Sequence, residues 1–482
     1  MLSLSPIKAK INWHQLLWLS IGFFALRLAS FLIRDNSLLQ ALFVLTNVLT
    51  LAFLFSKNKL WAWYYLLLEF VLGGAGLFFQ AFSLSLRTIL ILESLILYFS
   101  AYSGEALSKV FWRENKNNLL VFLVALLFLS FSVYWGWKNQ HALFFIAQDL
   151  LPFSFFLLIF PAREFLRAQD AGKNLLNLLF IFILGSSLWS IFNLVLFHQG
   201  VALLHSPYYN WLRDFALAKV TYLDSGFWRL VFPEHLLLIP AILFLIYLYL
   251  KTKDKIILLF LSLANIILAL NISRAYLLAL LVGLVVLKYQ TKFFTWFKVC
   301  VITLFSFILI FFAINLSVSA GKNLGLNILG LRLPGITQIA SDPSANNRLQ
   351  LLKPIWQNIQ SSPLVGQGLG LNINFINNVG QTINTRHFDW GYLELIAKFG
   401  LIASIFYLFI WLNLIKNLFK QSTPQSGVSL QSKKQALNLA CIASLIALMI
   451  SNIWAQNMLH VFGIILFSLI LAFSQNQKTE SH

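Results

Sequence analysis

Residues 175–197 read LLNLLFIFILGSSLWSIFNLVLF, an unbroken stretch without a single charged side chain. A helix rises about 1.5 Å per residue and a bilayer's hydrocarbon core is about 30 Å thick, so about 20 such residues cross it. Runs of the same kind recur along the chain, separated by short polar breaks. They predict spans at 13–33, 38–55, 60–79, 87–102, 119–137, 142–160, 175–197, 230–250, 256–272, 275–287, 296–318, 390–412, 436–454 and 458–474. The expected fold is all-α: a polytopic membrane protein with about 12–14 transmembrane helices and a long external loop that carries an amphipathic helix. Composition excludes the alternative of a water-soluble globule. Of 482 residues, 59% are hydrophobic and 11% charged, against about 45–50% and about 25% in soluble domains.

The formal charge of +19 could suggest nucleic acid, but its placement argues for a lipid bilayer. With a cytoplasmic N-terminus, 21 of the 35 cations fall in inner segments and 12 in outer ones, as the positive-inside rule requires. The sides also differ in kind: 18 of the inner 21 are lysine, whereas 8 of the outer 12 are arginine. A planar guanidinium makes bidentate contacts with phosphate that an ammonium cannot, so the outer face is where an anionic ligand is expected. Cys300 and Cys441 are the only cysteines, which leaves neither a disulfide nor a cysteine metal site to read. The first apolar stretch is too long for a signal-peptide core and is expected to remain as an uncleaved helix.

The spacing of these runs divides the chain into three parts. Residues 1–229 hold N-terminal membrane helices with short loops, and residues 230–412 a core that contains the external loop 319–389. Residues 413–482 supply a cytoplasmic connection and the last two spans. Within the loop, Asp342-Pro343 is a plausible helix start, and Leu349, Leu352, Trp356 and Ile359 recur at helical spacing. That pattern predicts a helix lying along the outer interface. The glycines Gly366, Gly368 and Gly370 admit two readings: backbone N–H groups approaching an anion, or a turn after the helix. At the start of the twelfth span, a helix would put His387, Gly391, Glu394 and Lys398 on one face. Glu394 and Lys398 then have the spacing of an ion pair, and their face must look into protein rather than lipid. Arg27, Glu69, Glu93 and Asp149 fall within the first six spans, where buried charges either mark a transport path or lock the bundle in pairs.

Three pieces of sequence resemble the O-antigen ligase and polymerase family of bacterial envelope glycosyltransferases. They are Ser273-Arg274-Ala275 opening an apolar helix, the run Arg348…Trp356…Pro363-Leu364-x-Gly366-x-Gly368-Leu369-Gly370, and the polar approach to Tyr392-Leu393-Glu394…Gly400. The resemblance covers roughly residues 230–412. It implies a membrane enzyme of the inner (cytoplasmic) membrane, multi-pass, with its active site facing the periplasm or exterior. Such an enzyme transfers a glycan from a polyprenyl-pyrophosphate carrier to a sugar hydroxyl, on lipid A-core or on another glycan.

Arg274 and Arg348, then Arg229 and Arg386, are the implied pyrophosphate ligands, with Gly366, Gly368, Gly370, Tyr392 and Glu394 in support. No cofactor or metal is implied, since guanidinium groups can stabilise the departing pyrophosphate. The family's histidine aligns with Asp389, while the actual His387 lies two residues earlier, so either residue is a candidate base. An ordinary imidazole, titrating near about 6.5, would suit the external pH. Other envelope polysaccharide assembly proteins are possible partners. Two other functions compete: a transporter or flippase of lipid-linked oligosaccharides, and a non-catalytic subunit holding polyprenyl intermediates.

Overall fold

The computed structural model describes residues 13–101, 116–168, 170–332, 343–376, 380–422 and 431–479. The first half comprises α1 (Trp13–Ile33), α2 (Ser37–Lys57), α3 (Lys59–Leu72), α4 (Leu86–Ala101), α5 (Lys116–Lys138), α6 (Leu143–Ser154), α7 (Ile159–Arg167) and α8 (Ala171–His198), with a 3-10 turn at Phe155–Leu158 joining α6 to α7. A short helix α9 (Pro207–Asp214) and the antiparallel hairpin β3 (Lys219–Asp224) and β4 (Phe227–Val231) follow. The second half holds α10 (Leu238–Thr252), α11 (Lys255–Asn271), α12 (Arg274–Leu287), α13 (Phe293–Val318), α14 (Leu326–Arg332) and α15 (Pro343–Ser361). The hairpin β5 (Ile373–Ile376) and β6 (Thr382–Thr385) precedes α16 (Gly391–Ser422), α17 (Gln431–Ser451) and α18 (Val461–Thr479).

Among the described residues, eight helices are long and apolar enough to cross a bilayer, and four shorter apolar helices join them. The protein is thus a polytopic, mostly helical membrane protein. Short polar residues set the boundaries. Asn58 closes α2, its N–H reaching the Leu54 carbonyl, and opens α3 by accepting from the Leu60 N–H, while Asp254 caps α11 through the Ile256 N–H.

Lipid as solvent inverts the usual arrangement of side chains. Leu17, Trp18, Phe53, Phe294 and Ile405 lie exposed on the outside of the bundle, while Arg27, Arg87, Glu234, His235, Asn271, Glu394 and Lys398 are buried. Such groups are tolerated in a membrane only when paired, and here they pair. Arg27 meets Glu234 at 2.9 Å and donates to the Leu72 carbonyl at 2.7 Å. Arg87 meets Glu69 at 2.9 Å, and Lys398 meets Asp149 at 3.0 Å. Glu93 differs, because its buried Oε2 has no hydrogen-bond partner. For Arg27, Glu69 and Asp149 the bundle-locking reading is the one the geometry supports.

Three local expectations need correction. The predicted span 60–79 ends early: α3 stops at Leu72, and the chain turns through Gly73, Gly74 and Gly76 into the two-residue strands β1 (Gln80–Ala81) and β2 (Leu84–Ser85). Gly74 and Gly76 have φ of 54° and 85°; hydropathy alone cannot see that such residues leave the helical region. Second, α15 is present, but Leu351, Ile355 and Ile359 are its most buried apolar residues. They pack with Leu371, Ile373, Phe388 and Ala397. Leu349 and Trp356 stay exposed, so the helix has one apolar edge on protein and another free to meet the interface. Asp342, the expected cap, lies outside the described residues. Third, α16 begins at Gly391, so His387 does not share its helical face.

Candidate functional site

The helix α16 is broken near its start. Gly400 has φ 75° and ψ 173°, which interrupts the hydrogen-bond ladder and frees the carbonyls below it. Residues 363–370 fill the gap. The Gln367 N–H donates to the Ala397 carbonyl at 2.8 Å and the Gly368 N–H to the Lys398 carbonyl at 2.9 Å, while the Leu401 N–H reaches the Pro363 carbonyl at 2.9 Å. The backbone groups freed by the break thus find protein partners.

The glycines make that insertion possible. A Cβ at Gly366 would overlap the Gly400 nitrogen and the Lys398 carbonyl, and one at Gly368 would overlap the backbone of Gly136. Every N–H from Gly366 to Gly370 donates to a protein acceptor, ending with Gly370 on Asp149 Oδ2 at 2.9 Å. The anion-cradle reading of this run is therefore set aside, since its donors are already used; Gly366, Gly368 and Gly370 support the site by close packing.

Beneath this segment lies a buried three-residue charge cluster. Lys398 Nζ is 2.8 Å from Glu394 Oε1 and 3.0 Å from Asp149 Oδ2. Glu394 and Lys398 pair as their spacing predicts, but Asp149 arrives from α6, in the N-terminal half. Its role is invisible in a linear reading, where it is one more carboxylate within a span. Glu394 Oε2 also accepts the Phe388 N–H at 2.8 Å, which bends residues 386–390 back over the helix start. Tyr392 anchors the same turn of helix, its hydroxyl donating to the Met449 carbonyl of α17 at 2.7 Å.

Four of the residues singled out by sequence come together on this platform. Arg348 on α15 meets Asp389, Nε to Oδ2, at 3.3 Å, and the Arg348 carbonyl accepts the Trp390 indole N–H at 3.0 Å. Arg386 lays its guanidinium over the Phe145 ring, 4.7 Å from the centroid, and its buried Nη1 has no hydrogen-bond partner. His387 follows. Its surface is open to solvent, yet its pKa is pushed down to about 4, first by the protein that crowds out bulk water and then by the Lys398 ammonium. At external pH this imidazole is neutral.

The turn between α17 and α18 closes the other side. Gly391 packs directly on the backbone of Asn452 and Ala455, which brings Gln456 against Glu394 and His387. His460, in the same turn, lies within electrostatic range of both His387 and Arg87, and its pKa too is lowered to about 4, mainly by burial. Gln456, His460 and Arg87 have no sequence signal beyond a polar break between two apolar runs.

Arg229 and Arg274 belong to a second group. The chain reverses from α11 to α12 through Ile272, which adopts a left-handed φ of 40° and ψ of 46°. That is a strained conformation for a β-branched residue. The reversal places Arg274 in the first turn of α12. Arg229, on β4, donates from Nε to the Asn271 carbonyl at 2.8 Å, and the Asn271 amide meets His235 Nδ1 at 3.2 Å.

Residues 256–408 match the O-antigen ligase family model. The matched O-antigen ligase domain runs from α11 into α16. It contains Arg274, Arg348, Arg386, His387, Asp389, Glu394 and Lys398, while Asp149, Arg229, Gln456 and His460 reach the site from outside it. No curated protein matches the chain in sequence.

Proposed function

We propose that the protein transfers a glycan from a polyprenyl-pyrophosphate carrier to a sugar hydroxyl at the outer face of the cytoplasmic membrane. The observation that carries this reading is the placement of a neutral imidazole, His387, beside Arg386 and close in sequence to Asp389, the partner of Arg348, within the segment that matches the O-antigen ligase family model. Such an arrangement sets a basic nitrogen beside fixed positive charge.

In this reading the acceptor hydroxyl attacks the anomeric carbon, the new glycosidic C–O bond forms, and the old bond from that carbon to phosphate oxygen breaks. The electron pair leaves on the pyrophosphate, and the hydroxyl proton passes to His387. Arg386 and Arg348, with Arg274 and Arg229, stabilise the departing charge. Asp389 is occupied by Arg348, which supports His387 over Asp389 as the base and gives Asp389 the task of aiming the guanidinium. Asp149 and Glu394 are engaged by Lys398 and act as foundation. The lipid-linked glycan and the acceptor, lipid A-core or a growing chain, are the partners this chemistry needs.

The test uses purified protein in detergent with a defined polyprenyl-pyrophosphate oligosaccharide, with and without an outer-core acceptor. Transfer to the core acceptor makes the protein a ligase, and chain growth without it a polymerase. An intact donor under both conditions refutes the proposal, and movement of the intact donor across a vesicle would favour a flippase.

A further inference from the structure

Gln456 lies outside the matched O-antigen ligase domain, in the turn between α17 and α18, yet it touches Glu394 and His387. Its amide can be oriented only one way. Glu394 Oε1 accepts from the Lys398 ammonium and Oε2 from the Phe388 N–H, so both oxygens of this carboxylate are acceptors. The Gln456 NH2 therefore faces Glu394, at 2.9 Å from Oε1 and 3.1 Å from Oε2. Its carbonyl oxygen is then left 2.8 Å from His387 Nδ1. The NH2 also lies 3.3 Å from Nδ1, but it is taken up by the two closer oxygens of Glu394, and an amide oxygen is an acceptor only, so the shorter 2.8 Å contact is filled when Nδ1 carries the proton.

We infer that Gln456 is a positioning residue that fixes His387 in the Nδ1–H tautomer and leaves the Nε2 lone pair as its only basic face. The inference rests on the proposed role of His387 as base, and it adds where that base points. The instruction comes from depth. Asp149 and Lys398 hold Glu394, Glu394 orients the amide, and the amide selects the imidazole tautomer. A histidine in solution exchanges its proton between two nitrogens, and one held here presents a single nitrogen to the acceptor hydroxyl. The Cβ-free Gly391 brings the turn close enough for this contact, since a side chain there would strike the Asn452 and Ala455 carbonyls.

Nitrogen-15 NMR of the histidine side chains in detergent-solubilised full-length protein reads the tautomer directly, with His387→Ala identifying the resonances. In the wild type, Nδ1 is expected to be the protonated, pyrrole-like nitrogen and Nε2 the pyridine-like one; the reverse assignment overturns the inference without any further variant. Gln456→Leu removes the acceptor and should move His387 toward the Nε2–H tautomer, whereas Gln456→Glu keeps an acceptor oxygen and should retain Nδ1–H. An unchanged tautomer in folded Gln456→Leu also overturns the inference.

Transfer kinetics separate the two layers of the argument. Gln456→Leu should lower kcat by about 10- to 100-fold with little change in KM, less than the ~10⁴ that a wrong tautomer costs a Ser-His-Asp triad. Gln456→Glu should recover part of that loss. A tautomer that moves while kcat stays at the wild-type value would uphold the positioning and refute His387 as the base.

Discussion

Lys398 Nζ lies 3.0 Å from Asp149 Oδ2 with both side chains almost wholly buried, and this contact joins the segment that matches the O-antigen ligase family model to a helix of the N-terminal half. A lysine in that position balances two carboxylates, Asp149 and Glu394, and orders the Gly370 N–H through the first of them. Removing the cation leaves two buried carboxylates facing one another. Lys398→Met is therefore expected to destabilise the protein by about 3–5 kcal/mol, the usual effect of breaking a buried pair from one side. Thermal unfolding in detergent measures it, and a loss below about 1 kcal/mol would mean that water already screens the cluster.

The inserted segment 363–370 gives a second expectation. Gly366 and Gly400 have φ of 73° and 75° and face each other backbone to backbone. Alanine at either position adds a left-handed penalty of about 1–2 kcal/mol to a backbone overlap that no side-chain rotation can relieve. Both variants should unfold at lower temperature and lose transfer activity together. Gly330, around which a Cβ would find open space, serves as the control, and its alanine variant should match the wild type in both measurements.

Among the arginines, Arg274→Ala and Arg348→Ala are each expected to abolish transfer while protein abundance stays near normal. Loss of one stabilising donor at a developing oxyanion typically costs about 2.7–4 kcal/mol of barrier. Lysine should rescue poorly, because it keeps the charge and loses the fork. Asp389→Asn should have a smaller effect than Arg348→Ala, since it frees the guanidinium that Asp389 aims without removing it. Single-turnover transfer from a lipid-linked donor ranks the five variants, and full activity in either alanine variant removes that arginine from the site.

The acid limb of activity should lie lower than an ordinary histidine would place it. Lys398 on α16, Arg386 beside His387 in its own loop and His460 in the 452–460 turn all oppose protonation of His387, while Asp149 on α6 favours it. Glu394 and Asp389 are paired with Lys398 and Arg348 respectively. The net result is a pKa lowered to about 4. The basic form is thus fully present above the unperturbed value of about 6.5 and is lost only as pH falls through about 4. A bound pyrophosphate adds negative charge and favours the imidazolium. The limb in kcat, which reports the substrate complex, should therefore sit above the limb in kcat/KM, which reports the free enzyme. His387→Ala should lower turnover by about 10²–10⁴-fold and abolish the limb. If Asp389 were the base, Asp389→Asn would give the larger loss.

Membrane orientation is open to direct labelling. By the positive-inside rule both termini and the connection after α16 are expected in the cytoplasm, and the segment 319–389 outside. On a background without Cys300 and Cys441, which are buried, an impermeant thiol reagent added from outside should modify a cysteine at Ser361 and spare one at Ser426. The opposite pattern inverts the topology and removes the proposed outer-face reaction.

A linear reading captured whatever depends on hydropathy and nearby spacing. The membrane helices, the amphipathic α15, the Glu394–Lys398 pair and the O-antigen ligase resemblance all rest on residues close in sequence, and length and pattern suffice where lipid demands apolar surface. It failed first where glycine conformations cut an apolar run, at Gly73 to Gly76, and where His387 fell short of the helix expected to carry it. It could not name the partners that complete the site. Asp149, Gln456 and His460 come from other parts of the chain, and pairing across such distances is set by how helices pack. The burial of a charge is legible as a demand for a partner, since an unpaired one is too costly in lipid; which residue answers that demand was decided only when α6, α16 and the turn before α18 came together.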